Sequence, residues 1–199
     1  MVSKNWWSAN FSDPTRGTSS VSVSWIPPEI DWVKLNVDGS CCSDDGNISA
    51  GGCLRTAQKD WIQGFVTNKG LGNVLEAELW GLFEGLSMAW RLGVTKIVVE
   101  TDAATIVQLL CADNITNHPN FSLIKSCSEL VARDWSCVVR HVFREGNTLA
   151  DGLANMGHKM NLGVWFFDNP PADVSHIFDD DCRGTSCIRQ CPITPMGLP

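Results

Sequence analysis

Residues 34–40 read KLNVDGS, and this stretch decides how the rest of the chain is interpreted. Its polar and apolar side chains alternate as in a strand, which then runs through Asp38 into a Gly-Ser turn. Two further strand-like segments follow at about 48–57 and 61–67, with turn residues between them. The folded part of the chain is therefore predicted to open with an antiparallel meander of three strands.

The hydrophobic period then changes from that of strands to that of helices. Leucines recur at helical spacing from Leu75 to Leu86, whereas the β-branched run at 97–99 is typical of a buried strand. The elements after the meander are predicted as helix, strand, helix, helix, strand and helix, at about 76–92, 97–99, 103–111, 120–133, 135–143 and 151–160. This order predicts an α/β fold in which a mixed five-stranded sheet, three antiparallel strands followed by two parallel ones, is flanked by helices.

Four carboxylates lie at the ends of these predicted elements, namely Asp38, Glu78, Asp102 and Asp151. A right-handed crossover through the 76–92 helix would place the Asp102 strand beside the Asp38 strand, at the crevice beyond the strand ends. Glu78 and Asp151 would approach that crevice from the first turns of two helices. Carboxylates gathered in this way are the ligands that Mg²⁺ takes in phosphoryl-transfer sites, so the chain is predicted to be a nuclease.

Composition limits the classes of function that the chain can have. With 199 residues and 44% hydrophobic content, it can bury one full core. Its 15 Lys and Arg residues are outnumbered by 22 Asp and Glu residues, so nucleic-acid contact should depend on a local patch or on metal ions. No apolar run reaches the roughly 20 residues of a membrane span, and the N-terminus lacks the apolar region of a secretory signal. We expect an intracellular, soluble protein, nuclear or cytoplasmic, with no membrane contact and no obligate protein partner.

Three regions are predicted along the chain. Residues 1–31, rich in Ser, Thr and Asn, are interpreted as a largely irregular linker, and residues 32–162 as the folded domain. Residues 163–199 contain a Pro-Pro pair, an acidic run at 179–181 and three cysteines, and are expected to form an irregular tail. The acidic run is most simply a solvated one, and the cysteines lack the spacing of a common zinc site.

Four short segments carry a resemblance to a known family. They are NVDGS at 36–40, AEL at 77–79, ETD at 100–102 and NTLADGLA at 147–154. In order and approximate spacing they resemble the type 1 ribonuclease H domain, and more narrowly the plant ribonuclease-H-like proteins related to non-LTR retrotransposon polyproteins. The similarity covers about residues 34–157.

The resemblance implies a metal-dependent endonuclease that cuts the RNA strand of RNA–DNA hybrids and leaves 5′-phosphate and 3′-hydroxyl ends. The four carboxylates named above would be the ligands of two Mg²⁺ ions, for which Mn²⁺ can substitute. Gly39 and Ser40 would contact the RNA near its 2′-hydroxyls through backbone groups. His141 lies ten residues before Asp151, where the family has a histidine that helps water access or product release. The sequence around His141 also fits the end of a strand.

Two departures from the family pattern concern substrate binding. The paired asparagines before the glutamate in many relatives are replaced by NVLE at 73–76, and only about residues 113–119 stand where relatives carry a basic helical handle. Weak binding of the hybrid would follow. A non-catalytic nucleic-acid-binding or interaction module derived from a retroelement is therefore an alternative, and a nuclease that cuts DNA junctions is a third.

Overall fold

The computed structural model describes residues 18–112 and 114–192. Its strands are β1 (Thr18–Val23), β2 (Val33–Cys41), β3 (Asn47–Arg55), β4 (Trp61–Leu71), β5 (Lys96–Thr101), β6 (Ser136–His141), β7 (Gly163–Phe167) and β8 (Cys187–Pro192). Its α-helices are α1 (Val74–Arg91), α2 (Ala104–Cys111), α3 (Phe121–Val131), α4 (Thr148–Met156) and α5 (Ala172–Arg183). Short 3₁₀ helices lie at Arg144–Gly146 and Gly157–Lys159.

The main sheet has six strands within the described ranges, in the order β6-β5-β2-β3-β4-β7. Strands β2, β3, β4 and β7 pair antiparallel, whereas β5 pairs parallel with both β2 and β6. The predicted α/β class, a mixed sheet flanked by helices, is confirmed, and β5 lies beside β2 as the crossover rule requires. The predicted count of five strands is wrong by one, because β7 joins the outer edge of β4, with Phe167 opposite Gly64 and Gly163 opposite Asn68.

Helices cover both faces of this sheet. On one face α1, α2 and α3 enclose an apolar core to which the sheet contributes Leu35, Ile97 and Cys137. On the other face α4 and α5 enclose a smaller core that contains Cys53 of β3 and Val66 of β4. In the part of the chain that the structure describes, no helix is both long and apolar enough to cross a bilayer.

Helix α1 begins at a well-formed cap. Asn73 accepts a hydrogen bond from the backbone N–H of Glu76, and the Glu76 side chain accepts one from the backbone N–H of Asn73. Buried residues, among them Leu79 and Leu86, recur at helical spacing, so one face of the helix packs on the sheet. The cap and the apolar face together fix where Glu78 lies relative to β2.

The irregular tail predicted for residues 163–199 is wrong for the part that the structure describes. Beyond β7, helix α5 packs against α4 through Val174, Ile177 and Phe178, which recur at helical spacing. The Pro-Pro pair starts this helix rather than breaking a structure, because Pro171 is its N-cap residue. Residues 193–199 lie outside the described ranges.

The linker predicted for residues 1–31 is partly structured. Its first seventeen residues lie outside the described ranges, but β1 pairs antiparallel with β8, from Thr18 opposite Pro192 to Val23 opposite Cys187. This two-stranded sheet joins segments from nearly opposite ends of the sequence, so no local pattern could predict it. Trp25 follows β1 and is buried.

Candidate metal centre

Asp38 and Asp102 lie where two neighbouring parallel strands separate. The pairing of β2 with β5 ends at Asn36 opposite Glu100; Asp38 then follows on β2, and Asp102 directly follows the end of β5. The predicted neighbourhood of these two strands is therefore observed. The Gly-Ser turn predicted directly after Asp38 is wrong, since β2 continues to Cys41 and stays paired with β3.

Gly39 allows α1 to approach the strand that carries Asp38. A Cβ atom at Gly39 would lie 2.3 Å from the backbone nitrogen of Glu78 and 2.4 Å from the carbonyl carbon of Ala77. Any other residue at this position would therefore push the first turns of α1 away from β2. This packing role brings Glu78 to the site, and it comes in addition to the substrate contact that the family resemblance implies.

Three of the four predicted carboxylates, all within the described ranges, meet in one group that we call the carboxylate cluster. Ligand oxygens of Asp38, Glu78 and Asp102 all lie within 4.8 Å of one another. Asp38 is 5% exposed, and Oε2 of Glu78 is buried with no hydrogen-bond partner among the described residues. Leaving a buried carboxylate oxygen unpartnered is unfavourable unless a cation binds it. Hard oxygen donors at this spacing suit a divalent cation, so the residues present fit a metal site.

Burial and mutual repulsion both act on the carboxylate cluster. Burial, and to a smaller extent the charge of Glu78, raise the pKa of Asp38 to about 10. Burial, followed by the charge of Asp102, raises the pKa of Glu78 to about 8, although a hydrogen bond from the backbone of Gly39 acts in the opposite direction. Without a bound cation the cluster therefore retains protons at neutral pH, and metal binding would release them.

The stability of the metal-free protein is expected to fall as the pH rises from about 5 to about 8. Above the ordinary carboxyl pKa of about 4, the unfolded chain releases protons that folded Asp38 and Glu78 retain. The folded state then binds more protons than the unfolded state, so each rise in pH favours unfolding. Urea unfolding in EDTA at several pH values measures this dependence. The Asp38→Asn variant should show a flatter one, and a stability that rose with pH would contradict the raised pKa values.

Asp151, the fourth predicted carboxylate, is engaged in an ion pair and is not part of the cluster. It lies in the first turn of α4, where Arg144 Nη2 donates to its Oδ1 at 2.7 Å and Asn155 Nδ2 donates to its Oδ2 at 3.2 Å. The bond to Asp151 raises the pKa of Arg144. The Arg144 side chain is 71% exposed, so the pair is in contact with solvent and Arg144 can readily release Asp151. No motif in the sequence marks Arg144, which is predicted only as part of the segment before Asp151.

His141 is the last residue of β6, opposite Thr101 on the parallel strand β5. Its ring meets that of Phe143 edge-on, with 6.3 Å between the ring centroids, and it lines a cavity of about 280 Å³. The structure thus places His141 at a strand end rather than in a loop. Its part in water access or product release stays a prediction.

Ser40 belongs to a chain of polar contacts beside Asp151. Its hydroxyl donates to Asn155 Oδ1 at 2.8 Å and lies 2.9 Å from Nε2 of His158, in the 3₁₀ helix after α4. His158 was not predicted as a site residue, because no motif in the sequence marks it. The contact of Gly39 and Ser40 with RNA stays a prediction.

Asn147 is a further site residue that the sequence did not single out. Its Nδ2 donates to Asp102 Oδ1 at 3.3 Å and to the carbonyl oxygen of Val37 at 3.0 Å, and the residue is buried. The side chain therefore ties the segment before α4 to both strands of the site. Asn147 lies in the matched segment 147–154, but the sequence does not show which group its amide would face.

Solved structures with the same fold include ribonucleases H. The N-terminal RNase H domain of Rv2228c from Mycobacterium tuberculosis has a TM-score of 0.59 and 27% identity, and the match covers 64% of this chain and 94% of that one. RNase H1 from the archaeon Halobacterium salinarum has a TM-score of 0.60 and 23% identity, over 64% and 98% of the two chains. LC11-RNase H1, solved in complex with an RNA/DNA hybrid, has a TM-score of 0.56 and 18% identity, over 62% and 94%. These likenesses establish the fold.

A curated relative is similar at the level of sequence. The "Putative ribonuclease H protein At1g65750" of Arabidopsis thaliana is 37% identical over 168 residues, which are 84% of this chain and 27% of that protein. The chain thus spans about a quarter of the length of this relative.

The fold and these relatives define the class of the protein as a type 1 ribonuclease-H-like domain, which confirms the resemblance carried by the four short segments. The chain belongs to the family described as reverse transcriptase-like, whose model matches residues 36–157.

Proposed function

We propose that the chain is a metal-dependent endonuclease that hydrolyses the RNA strand of RNA–DNA hybrids. The observation that carries this proposal is the carboxylate cluster, in which a buried Glu78 oxygen lacks a partner close to Asp38 and Asp102. Three close carboxylates do not help the chain to fold, because burial and repulsion raise their free energy. A bound cation would relieve both effects, so the cluster is best explained by metal binding.

Asp38, Glu78 and Asp102 would hold the cation, and Mg²⁺ is the ion we propose, with Mn²⁺ as its substitute. In two-ion sites of this kind, the bound metal activates the attacking water and stabilises the leaving 3′-oxygen. The chain's own part is to present the oxygens in fixed positions, one from within β2, one from the residue after β5 and one from the capped helix α1. Asp151 would complete the shell of a second ion after releasing Arg144.

The hybrid is the substrate we propose because of the family and the position of two predicted contacts. One structural relative, LC11-RNase H1, was solved with an RNA/DNA hybrid. Gly39 and Ser40 follow Asp38 directly on β2, where they would meet the RNA beside the cleaved bond. His141 would assist water access or product release. With a net charge of −7 the chain has little general attraction for phosphates, so affinity should rest on bound metal and local groups.

A non-catalytic nucleic-acid-binding or interaction module is the second candidate, and one observation favours it. Asp151 is already bonded to Arg144 at 2.7 Å and to Asn155 at 3.2 Å. A two-ion site must open this ion pair, whereas a module that had lost turnover could keep it closed.

Cleavage of a hybrid labelled on either strand tests the proposal. With Mg²⁺ or Mn²⁺ the protein is expected to cut the RNA strand and leave 3′-hydroxyl ends, while duplex DNA and duplex RNA of the same sequence stay intact. A DNA four-way junction is a further substrate, because its cleavage would indicate a structure-specific nuclease. Binding of the hybrid without cleavage, by protein that also binds Mg²⁺, would favour the module.

A further inference from the structure

Asn36, a buried residue on β2, has all of its side-chain hydrogen-bonding groups engaged. Its Nδ2 donates to Glu100 Oε2 and to Asn147 Oδ1, both at 3.1 Å. Its Oδ1 accepts from Trp25 Nε1 at 2.8 Å and from Arg55 Nη2 at 3.0 Å. An amide matched in this way has a single orientation, since turning it over would place donors against donors and acceptors against acceptors.

This orientation reaches the carboxylate cluster through Asn147. Because Asn147 Oδ1 accepts from Asn36, its Nδ2 points the other way, to Val37 and to Asp102 Oδ1. Asn36 and Asn147 are 0% and 2% exposed, so solvent cannot readily replace a lost bond between them. The position of the Asp102 carboxylate therefore depends on how Asn36 is held.

Asn36 is held by side chains from both flanks of the matched region, residues 36–157. Trp25, before that region, donates to Asn36 and stacks on Arg55, whose guanidinium carbon lies 3.7 Å from the ring centroid. Arg55, on β3, is fixed by Asp181 of α5, with 2.6 Å between Nη1 and Oδ2. Trp25 thus contacts the side-chain oxygen Oδ1 of Asn36 directly, and Asp181 acts on the same oxygen through Arg55.

The charges in this network explain why both flanks are needed. The Arg55 side chain is 1% exposed, and a guanidinium buried to this degree is strongly unfavourable without a counter-charge. Asp181 supplies the counter-charge, and Trp25 covers one face of the guanidinium. With both partners in place, Nη2 of Arg55 is directed at Asn36.

We propose that Trp25 and Asp181 are positioning residues for the metal centre, acting on Asp102 through Asn36 and Asn147. This inference rests on the proposed function, because it gives the two residues a task in metal binding. The working unit of the chain then includes the segment before β2 and helix α5. A domain cut at the boundaries of the matched region would keep the three carboxylates of the cluster but would lose the side chains that hold Asp102 in position.

Trp25→Phe is the variant that tests the proposal most directly. It keeps an aromatic ring beside Arg55 and removes the Nε1 donor to Asn36. Trp61→Phe is the matched control, because it also removes an indole donor, which in this case bonds the carbonyl of Phe167 at 2.9 Å.

Asp181→Asn tests the second arm and keeps the proposal testable if Trp25→Phe does not fold. The amide retains the shape of the carboxylate and an acceptor for Arg55, but it removes the counter-charge. Asp180→Asn, at the neighbouring position, is its control, since Asp180 pairs with exposed Arg183 instead.

Two measurements separate positioning from a general loss of stability. In metal-free protein, hydrogen exchange at the Asn147 side-chain amide, followed by NMR, is expected to be faster in Trp25→Phe and Asp181→Asn than in wild type. The two control variants should exchange like wild type. In calorimetric titrations the affinity of the same two variants for Mg²⁺ should fall by about tenfold, the lower end of the effect of outer-shell partners. In hybrid cleavage kcat should fall while KM stays unchanged.

The outcomes distinguish this proposal from the proposed function. Variants that matched their controls in both amide exchange and Mg²⁺ affinity would overturn the positioning role. A wild-type protein that neither bound Mg²⁺ nor cut the hybrid would refute the proposed function. Even if the proposed function were refuted in this way, faster exchange at Asn147 in Trp25→Phe would support the link from Trp25 to Asp102, because hydrogen exchange is measured on metal-free protein.

Discussion

Replacing Asp38 by asparagine is expected to abolish hydrolysis and, at the same time, to make the metal-free protein more stable. The variant loses a ligand oxygen of the carboxylate cluster, so activity should fall by more than about 100-fold, the upper end of what loss of an outer-shell partner costs. Burial and the charge of Glu78 raise the pKa of Asp38 to about 10, so the folded protein must keep this carboxyl protonated at neutral pH, whereas the unfolded chain need not. Asparagine is neutral in both states, so the variant avoids this cost and its stability should rise. We expect a gain of about 1–3 kcal/mol in the free energy of unfolding at neutral pH.

Urea unfolding in EDTA, titration with Mg²⁺ and hybrid cleavage measure these effects on one protein. Asp134→Asn, which changes an exposed aspartate between α3 and β6, is the control and should alter none of them. Retained cleavage in Asp38→Asn would remove Asp38 from the proposed site. A loss of stability in metal-free Asp38→Asn would show that the carboxylate serves the fold.

The opposite signs of the two expected effects are what make this variant informative. When an aspartate that serves the fold is replaced, the protein loses both stability and activity, since the hydrogen bonds of that aspartate are part of the fold. An aspartate kept for metal binding is buried beside other carboxylates at the expense of stability, and the metal-free protein gains when a neutral amide replaces the carboxyl that burial forces to stay protonated. A mixed result would therefore identify the purpose of the cluster even before the substrate is known.

Local patterns were enough to predict the core of the fold and the carboxylate cluster. The alternation in KLNVDGS, the leucine period of α1 and the β-branched run of β5 each depend on residues within one element. The crossover rule then brings β5 beside β2 and so places Asp102 near Asp38. Glu78 follows because the apolar face of α1, which packs on the sheet, determines which of the helix's carboxylates lies next to β2.

Polar contacts between distant segments could not be predicted in the same way. Lys34, Asn36 and Arg55 are buried on one face of the sheet, where patterns based on hydrophobicity expect apolar residues. Their positions make sense only with their partners, which come from other elements. The acidic run at 179–181 shows the same limit: Asp179 is exposed, as the interpretation of a solvated run requires, but Asp181 is buried against Arg55.

Replacing Asp181 by alanine is expected to lower the free energy of unfolding by about 3–5 kcal/mol, although the sequence pattern predicts an irregular tail in this region. Asp181 is the ion-pair partner of Arg55, whose side chain is 1% exposed, so the variant leaves a buried guanidinium without that counter-charge. Burial raises the pKa of Asp181 while the charge of Arg55 opposes that shift, so the ion pair itself contributes little. Most of the expected loss therefore comes from the Arg55 charge that remains.

Two companion variants test this explanation by urea unfolding. Asp180→Ala breaks a pair between Asp180 and Arg183, whose side chains are 47% and 66% exposed, so it should lower stability far less than Asp181→Ala does. Arg55→Met combined with Asp181→Ala removes the buried charge together with its partner, and this double variant should be more stable than Asp181→Ala alone. A double variant no more stable than Asp181→Ala would instead attribute the loss to the packing of α5. In either case, a large loss of stability on replacing Asp181 would show that α5 is part of the folded domain. An irregular tail would not supply the partner of a buried charge, so changing one of its residues would cost little.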